Sequence, residues 1–513
     1  MPRQRLSCSG TAFVLLVLSP LFWSSDAQQA SPEVRNVLVV TFDTTRADVL
    51  AAYGSNKVET PALDRLAREG VVFEQATSPV PLTLPAHASL FTGLFPPHHG
   101  VRDNVDGPLG DSYTTLAEVL RGNGARTAAF VGSAVVDGRR GLAQGFDTYS
   151  DGQQENRNPR LRRPANVVVE EATGWITRQQ ASPFFAWVHL YDAHAPYSLP
   201  QPYRTMYEDA PYLGAIAFMD AQLQRLLATL DALHLSERTL VVMLADHGES
   251  LGDHGEDGHG IFVYQSTLQV PLIIRAPRVS ARRVPDVVRL VDVMPTVLDV
   301  LGIGPRATDG VSLAPLMTGR IAHLNLDAYS ESLYPRRFGW ADLRTIRADR
   351  FKFVKAPRPE LYDLEKDPTE QRNIYDERTD LAALMGAALD GMARSSPADE
   401  AEPAAPSSEV LERVAALGYV SPTRSLREEP SSGPLNDPKD CIGVYNAIVR
   451  SAGASRMVPT GRVNLVFAFE RQPFVDHVAC SPEPSSLRTV STVSASALEP
   501  IPPKGRTPRG ANR

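Results

Sequence analysis

From Asn36 onward the sequence repeats one pattern: a short apolar run, then a longer amphipathic stretch. Residues 37–42, 127–131, 184–188, 239–244 and 270–274 are such runs, too short for helices and too uniformly apolar for strands with one wet face. A strand that is apolar at every position has to be covered on both sides. The pattern therefore predicts an α/β fold, with a large, mostly parallel sheet between two layers of helices. Helix signals lie between the runs. Thr60 and Pro61 read as an N-cap and a first-turn proline, Leu63 and Leu66 as an apolar face, and Gly70 as a stop. Thr115 and Glu118 have capping-box spacing, and Leu223, Leu226, Leu227 and Leu230 recur at helical spacing. In open α/β sheets ligands bind beyond the carboxyl ends of the strands, which directs attention to the residues just after each run.

Three polar clusters stand there. Asp43 follows the first run, Asp192 and His194 follow the third, and Asp246, His247 and Gly248 follow the fourth. One such cluster is as readily a turn or a helix cap. Three at the same sheet edge, with Asp and His among them, point to a shared metal site. Imidazole together with carboxylate favours Zn or Mn over Ca. A fourth element lies at residues 80–93, where Thr83 and Pro85 look like the entry to a helix. Backbone N–H groups at such an entry can bind phosphate or sulfate oxygens. Most threonines there are caps, and a threonine hydroxyl is a poor nucleophile unless a base or a metal activates it, which ties Thr83 to the metal cluster.

Phe42-Asp43-Thr44-Thr45-Arg46, Thr83-Leu84-Pro85-Ala86-His87 with Leu90-Phe91-Thr92-Gly93, residues 99–104 ending in Asn104, Asp192-Ala193-His194-Ala195-Pro196-Tyr197, Asp246-His247-Gly248-Glu249 and residues 361–368 occur in that order. Together they resemble the sulfatase family of the alkaline phosphatase superfamily, over about residues 36–395. The resemblance implies an alkaline phosphatase-like three-layer sandwich over 36–320 and a smaller C-terminal α+β subdomain over 321–395. It also implies a metal-dependent ester hydrolase.

The sequence departs from that family where the chemistry is done. A sulfatase of the usual kind has a cysteine or serine that becomes formylglycine, with proline two residues on and arginine four on. Here those positions hold Thr83, Pro85 and His87. The usual aspartate pair after the first strand is Asp43-Thr44, and the usual Asp-Asn is Asp246-His247. These departures resemble nucleotide pyrophosphatase/phosphodiesterases and, in Asp246-His247 and Asn104, phosphonate monoester hydrolases. The resemblance implies a divalent ion on Asp43, Thr83, Asp246 and His247, with Thr83 as nucleophile. It implies further that Asn104 and the helix terminus hold the equatorial oxygens, that His194 steadies or protonates the leaving oxygen, and that His87 and His259 face the substrate. Asp192, His194 and His259 would suit a second ion; for His259 the alternative is a loop histidine in a Gly-rich turn, whereas His98, His99 and His254 read as loop or helix-end residues. Threonine cannot form the aldehyde, so the expected substrates are phosphate or phosphonate esters of small molecules, glycans or lipids. Sulfuric ester hydrolysis without formylglycine is the alternative.

The remaining sequence sets the context. Arg3 and Arg5, an apolar run over 11–23 and the small residues Ser25 and Ala27 read as a signal peptide over 1–27. That run contains Pro20 and falls short of the roughly 20 residues of a membrane helix, so export to the periplasm or outside the cell, with no membrane span after cleavage, is expected over a retained anchor. With 52 Lys+Arg against 59 Asp+Glu the chain carries −7, which gives no reason to expect a nucleic-acid partner. The three cysteines, Cys8, Cys441 and Cys480, exclude a Cys-rich zinc site and a disulfide scaffold. Residues 396–446 read as a linker with a short helix over 409–417, and 447–513 as a disordered tail or a frame-shifted end that replaced a repeat domain. A phospho-group transferase is a second class of function, but its relatives have several membrane spans. A non-catalytic binding protein would have lost Asp43, Thr83 or Asp246, and all three are present.

Overall fold

The computed structural model describes residues 34–152, 161–394, 408–417, 419 and 434–454. The expected signal peptide and residues 455–513 of the tail lie outside them. The apolar runs form an eight-stranded sheet from β1 (Asn36–Phe42), β2 (Val71–Thr77), β3 (Arg126–Val131), β4 (Thr148–Ser150), β5 (Phe184–Leu190), β6 (Thr239–Leu244), β7 (Gln269–Arg275) and β8 (Arg282–Arg289), ordered β4-β3-β5-β1-β6-β7-β2-β8. Every pairing is parallel except those of β7 with β6 and β2.

Alternation along β1 shows why both faces are apolar. Val37 and Val39 pack into a core with the helices Thr83–Thr92, Leu116–Gly122 and Val293–Val300. Leu38, Val40 and Phe42 pack into another with Pro61–Glu69, Ala165–Thr177 and Pro211–Ala232. The three layers follow from this two-sided burial.

The helix starts are held partly as expected. Thr115 and Glu118 form the capping box. Thr60, by contrast, makes no side-chain cap hydrogen bond. Asp220, on the long helix alongside, accepts from the backbone N–H groups of Ala62 and Leu63 at 3.0 and 2.8 Å instead. A carboxylate that takes two orphan donors displaces a hydroxyl that can take one. Gly70 ends this helix where a Cβ would stand 2.8 Å from the Ile274 carbonyl oxygen.

A second, antiparallel sheet of β9 (Asp327–Ser332), β10 (Leu343–Ala348), β11 (Phe351–Lys355) and β12 (Glu360–Asp363) is backed by the helix Thr379–Met392. Its tie to the large domain includes a buried ion pair. Lys352 Nζ lies 2.7 Å from Glu370 Oε1, and Glu370 Oε2 accepts from the Gln265 N–H at 2.6 Å. Glu370→Gln removes the carboxylate paired directly with this buried ammonium and is expected to cost about 3 kcal/mol. Adding Lys352→Met should recover part of that loss, and urea unfolding of the single and double variants measures both.

The region read as a linker does more than connect. In the helix Ser408–Ala416 and just after it, Val414, Leu417 and Tyr419 are buried in the large core. The helix Pro438–Ala454 buries Cys441 and Tyr445 there and runs across the expected boundary at 447. Asn446 fastens it by donating to the Gly255 carbonyl at 2.7 Å and accepting from the Asp257 N–H at 3.2 Å. Composition hides these anchors because only one narrow face of each helix is apolar. Among the described residues no helix is long and apolar enough to cross a membrane.

Candidate active site

Parallel pairing of β1 with β5 and β6 brings three carboxyl ends to one edge. Asp43 leaves β1 there, His189 is the penultimate residue of β5, and Asp246 and His247 follow β6. His189 Nε2 lies 3.0 Å from Asp43 Oδ2. Asp246 Oδ1 accepts from the backbone N–H groups of His247 at 2.9 Å and Thr44 at 3.3 Å, which turns Oδ2 inward. Thr83 is the first residue of the helix Thr83–Thr92, and its Oγ1 lies 3.3 Å from His247 Nε2. One turn on, His87 donates from Nδ1 to the Thr83 carbonyl at 2.8 Å, with Nδ1 3.7 Å from Asp246 Oδ2. An imidazole thus stands beside Thr83 and Asp246.

Every one of these side chains is buried, and burial shifts the charge of four of them. It pushes the Asp43 carboxyl up to about 7 and raises that of Asp246, where the neighbouring Asp43 adds to the effect. It lowers His87 to about 3 and His189 to about 4, so both rings are neutral at physiological pH. Asp43 Oδ1, Asp246 Oδ2 and His87 Nε2 have no hydrogen-bond partner among the described residues. Adjacent buried carboxylates and a neutral imidazole with an unused lone pair are the environment a divalent cation compensates. Among the described residues, two groups have ligand-compatible spacing: Asp43, Asp246 and His247, and His87, His189 and Asp246. Asp246 belongs to both.

The family model for sulfatases matches residues 35–303, more than half of the chain. The chain belongs to the sulfatase family. The C-terminal model of N-sulphoglucosamine sulphohydrolase matches residues 252–392, which span the small antiparallel sheet. An ulvan-active sulfatase of Formosa agariphila is 27% identical over 401 residues, 68% of this chain and 78% of that protein. An arylsulfatase of Clostridium perfringens is 25% identical over 447 residues, 67% of this chain and 92% of that protein. The crystal structure of a phosphonate monoester hydrolase of Agrobacterium radiobacter superposes with a TM-score of 0.61 at 24% identity, covering 70% of this chain and 95% of that one. The fold is alkaline phosphatase-like, and the protein is a hydrolase of sulfuric or phosphoric esters.

Within this sulfatase-family site the other sequence-predicted residues separate. Asn104 Oδ1 accepts from the Leu84 N–H at 2.8 Å, while its buried Nδ2 has no partner. Leu84 N–H is therefore committed and Pro85 has none, so the helix terminus offers fewer backbone donors than the sequence suggested. The Asn104 amide nitrogen is a buried donor left unused among the described residues. His194 and His259 come together, with ring centroids 5.0 Å apart, and His259 lies 4.4 Å from His247 by the same measure. Asp192 does not join them. Its Oδ2 accepts from the Ala165 N–H at 3.0 Å and holds the start of the helix Ala165–Thr177, so the expected Asp192, His194 and His259 ion site does not assemble.

Two residues escaped the sequence reading. His189 sits on the same strand face as Phe185 and Trp187, directly after the apolar run 184–188, where a titratable residue is itself a signal. Tyr419 arrives from the C-terminal segment, and its hydroxyl lies 3.1 Å from His194 Nε2 and 3.0 Å from His259 Nε2.

Proposed function

We propose that this protein is an exported, metal-dependent hydrolase of phosphate or phosphonate esters that uses unmodified Thr83 as its nucleophile. The observation that carries the reading is the Thr83 hydroxyl itself, at a helix start and 3.3 Å from His247 Nε2; the resemblance in sequence aligns it with the residue from which the family forms its aldehyde. A divalent ion held by Asp43, Thr83, Asp246 and His247 would lower the pKa of that hydroxyl and offset charge on the transferring group; the imidazoles among the donors favour Zn or Mn over Ca. His189 orients Asp43 through the 3.0 Å contact. The unpartnered Nδ2 of Asn104 supports a role in holding an equatorial oxygen. Export rests on the signal-like residues 1–27.

A hydrated aldehyde can shed its ester by collapsing to the carbonyl, whereas a threonine ester has to be cleared by an activated water. In-line displacement at phosphorus suits the latter. Hydrolysis of sulfuric esters through the same threonine is the second reading, favoured by the names of the curated relatives, which include the ulvan-active sulfatase and the arylsulfatase. A panel of aryl sulfate, phosphate monoester and diester, and phosphonate monoester substrates, assayed with added Zn and Mn, separates the two. A phosphorus ester is expected to exceed the sulfate in kcat/KM by at least about tenfold, roughly 1.4 kcal/mol of transition-state preference. Faster turnover of the sulfate under matched metal and pH would establish the second reading. Co-expression with a formylglycine-generating enzyme should leave activity unchanged.

A further inference from the structure

We propose that the cavity between the small antiparallel sheet and the β2–β8 edge of the large one binds a sugar acid, with Arg347 meeting its carboxylate. The inference is independent of the reading of Thr83, because no residue placed in the active site lines this cavity. Its volume is about 1080 Å³, enough for an organic ligand, since pockets that hold them run from roughly 300 to 1,000 Å³. Arg347 reaches it by strand alternation. Ile346 packs into the core under the helix Thr379–Met392, so Arg347 stands on the other face of β10, towards the large domain, where its Nη2 donates to Gln75 Oε1 of β2. The residue is only 5% exposed, yet its Nε and Nη1 have no hydrogen-bond partner among the described residues. Glu370, the acid that acts on it most, is held by Lys352 and the Gln265 N–H. A buried guanidinium with unmet N–H groups is costly until an acceptor reaches it.

The rest of the lining selects the acceptor. Three of its acids are already paired: Glu74 with Arg283 at 2.6 Å, Asp286 with His323 at 3.0 Å and Glu365 with Arg350 at 2.6 Å. Asp327 and Asp349 line the cavity from exposed positions, at the start of β9 and in the turn after β10. A phosphate dianion would meet those two as like charges, so a group of single charge is favoured. Among such groups a carboxylate has more basic oxygens than a sulfate ester and is the stronger acceptor for a desolvated guanidinium. Once Arg347 neutralises that charge, the ligand needs donors for the rim. Sugar hydroxyls supply them to Asp327 and Asp349, and they can also accept from the side-chain amide of Asn325, which lines the same cavity. A uronate, free or within a glycan chain, unites these groups.

Calorimetric titration of the full chain with galacturonate is expected to give a Kd of about 1 mM or tighter, and galactose should bind at least about tenfold more weakly. Arg347→Met should weaken galacturonate at least about tenfold, while ester turnover and the affinity for inorganic phosphate, which report on the active site, stay within about twofold. Because this substitution removes a buried charge with unmet N–H groups, the variant without ligand should melt no lower than the parent; a lower melting temperature would make the arginine structural and overturn the proposal. Asp349→Gly, at a backbone φ of 52° that glycine adopts freely, alters only the rim and should weaken galacturonate about threefold or more. Trigalacturonate separates the two sources: tighter binding than the monomer marks a uronate within a chain, and equal binding a free sugar acid. Galacturonate affinity that is the same in the parent and both variants, or galactose bound as tightly as galacturonate, would overturn the proposal. So would the absence of any binding of either sugar acid, because water alone would then satisfy Arg347.

Discussion

Thr83→Ala is expected to lower kcat on the best phosphorus ester by at least about a thousandfold, roughly 4 kcal/mol of lost transition-state stabilisation. The loss should fall on kcat, because the other groups proposed to hold the ester, Asn104 and the two clustered histidines, are untouched. Thr83→Ser retains a hydroxyl at the helix start and should keep a substantial part of the activity. Its extra rotamers would cost part of the alignment with His247, which stands 3.3 Å from the threonine oxygen. Steady-state kinetics, with mass spectrometry of the intact protein during turnover, check both points. Near-normal turnover by Thr83→Ala would remove the covalent route.

Asp246→Ala should abolish stoichiometric metal and lower kcat by a similar factor. Asp246 is the residue common to both ligand-compatible groups, and its Oδ2 is one of the buried atoms with no other partner. The parent protein should lose thermal stability on chelation, because an ion present at about a thousand times its Kd contributes about 4 kcal/mol through linkage. The variant should not respond to the chelator. The variant also removes the repulsion that Asp43 exerts on the buried Asp246 carboxylate. Elemental analysis and thermal melts with and without chelator test these statements. Full metal content in the variant would overturn the ligand assignment.

What could be read from the sequence is what local signals encode. Strand runs bounded by turns, the capping box of Thr115 and Glu118, and Thr83 at the head of a helix each depend on residues within a few positions of one another. The rule that ligands bind beyond the carboxyl ends of parallel strands then brought Asp43, Asp246 and His247 to one edge without coordinates. The same reasoning sent Asp192 to that edge as well, and there a helix start claimed its carboxylate, because an orphan backbone N–H 27 positions away in sequence lay within reach.

Only the tertiary structure decided which polar atoms are satisfied and which are left facing inward. His189 meets Asp43 across 146 positions, Tyr419 meets His194 across 225, and Asp220 caps a helix 158 positions away. No window of sequence contains both partners of such a contact. Hydrogen-bond direction, burial and the resulting charge depend on how the layers and the C-terminal segment dock. The sequence by itself determined the sheet, its covering helices and the edge where chemistry occurs. Docking determined which donors and acceptors meet there, because desolvation and hydrogen bonding act through space, whereas periodicity and capping act along the chain.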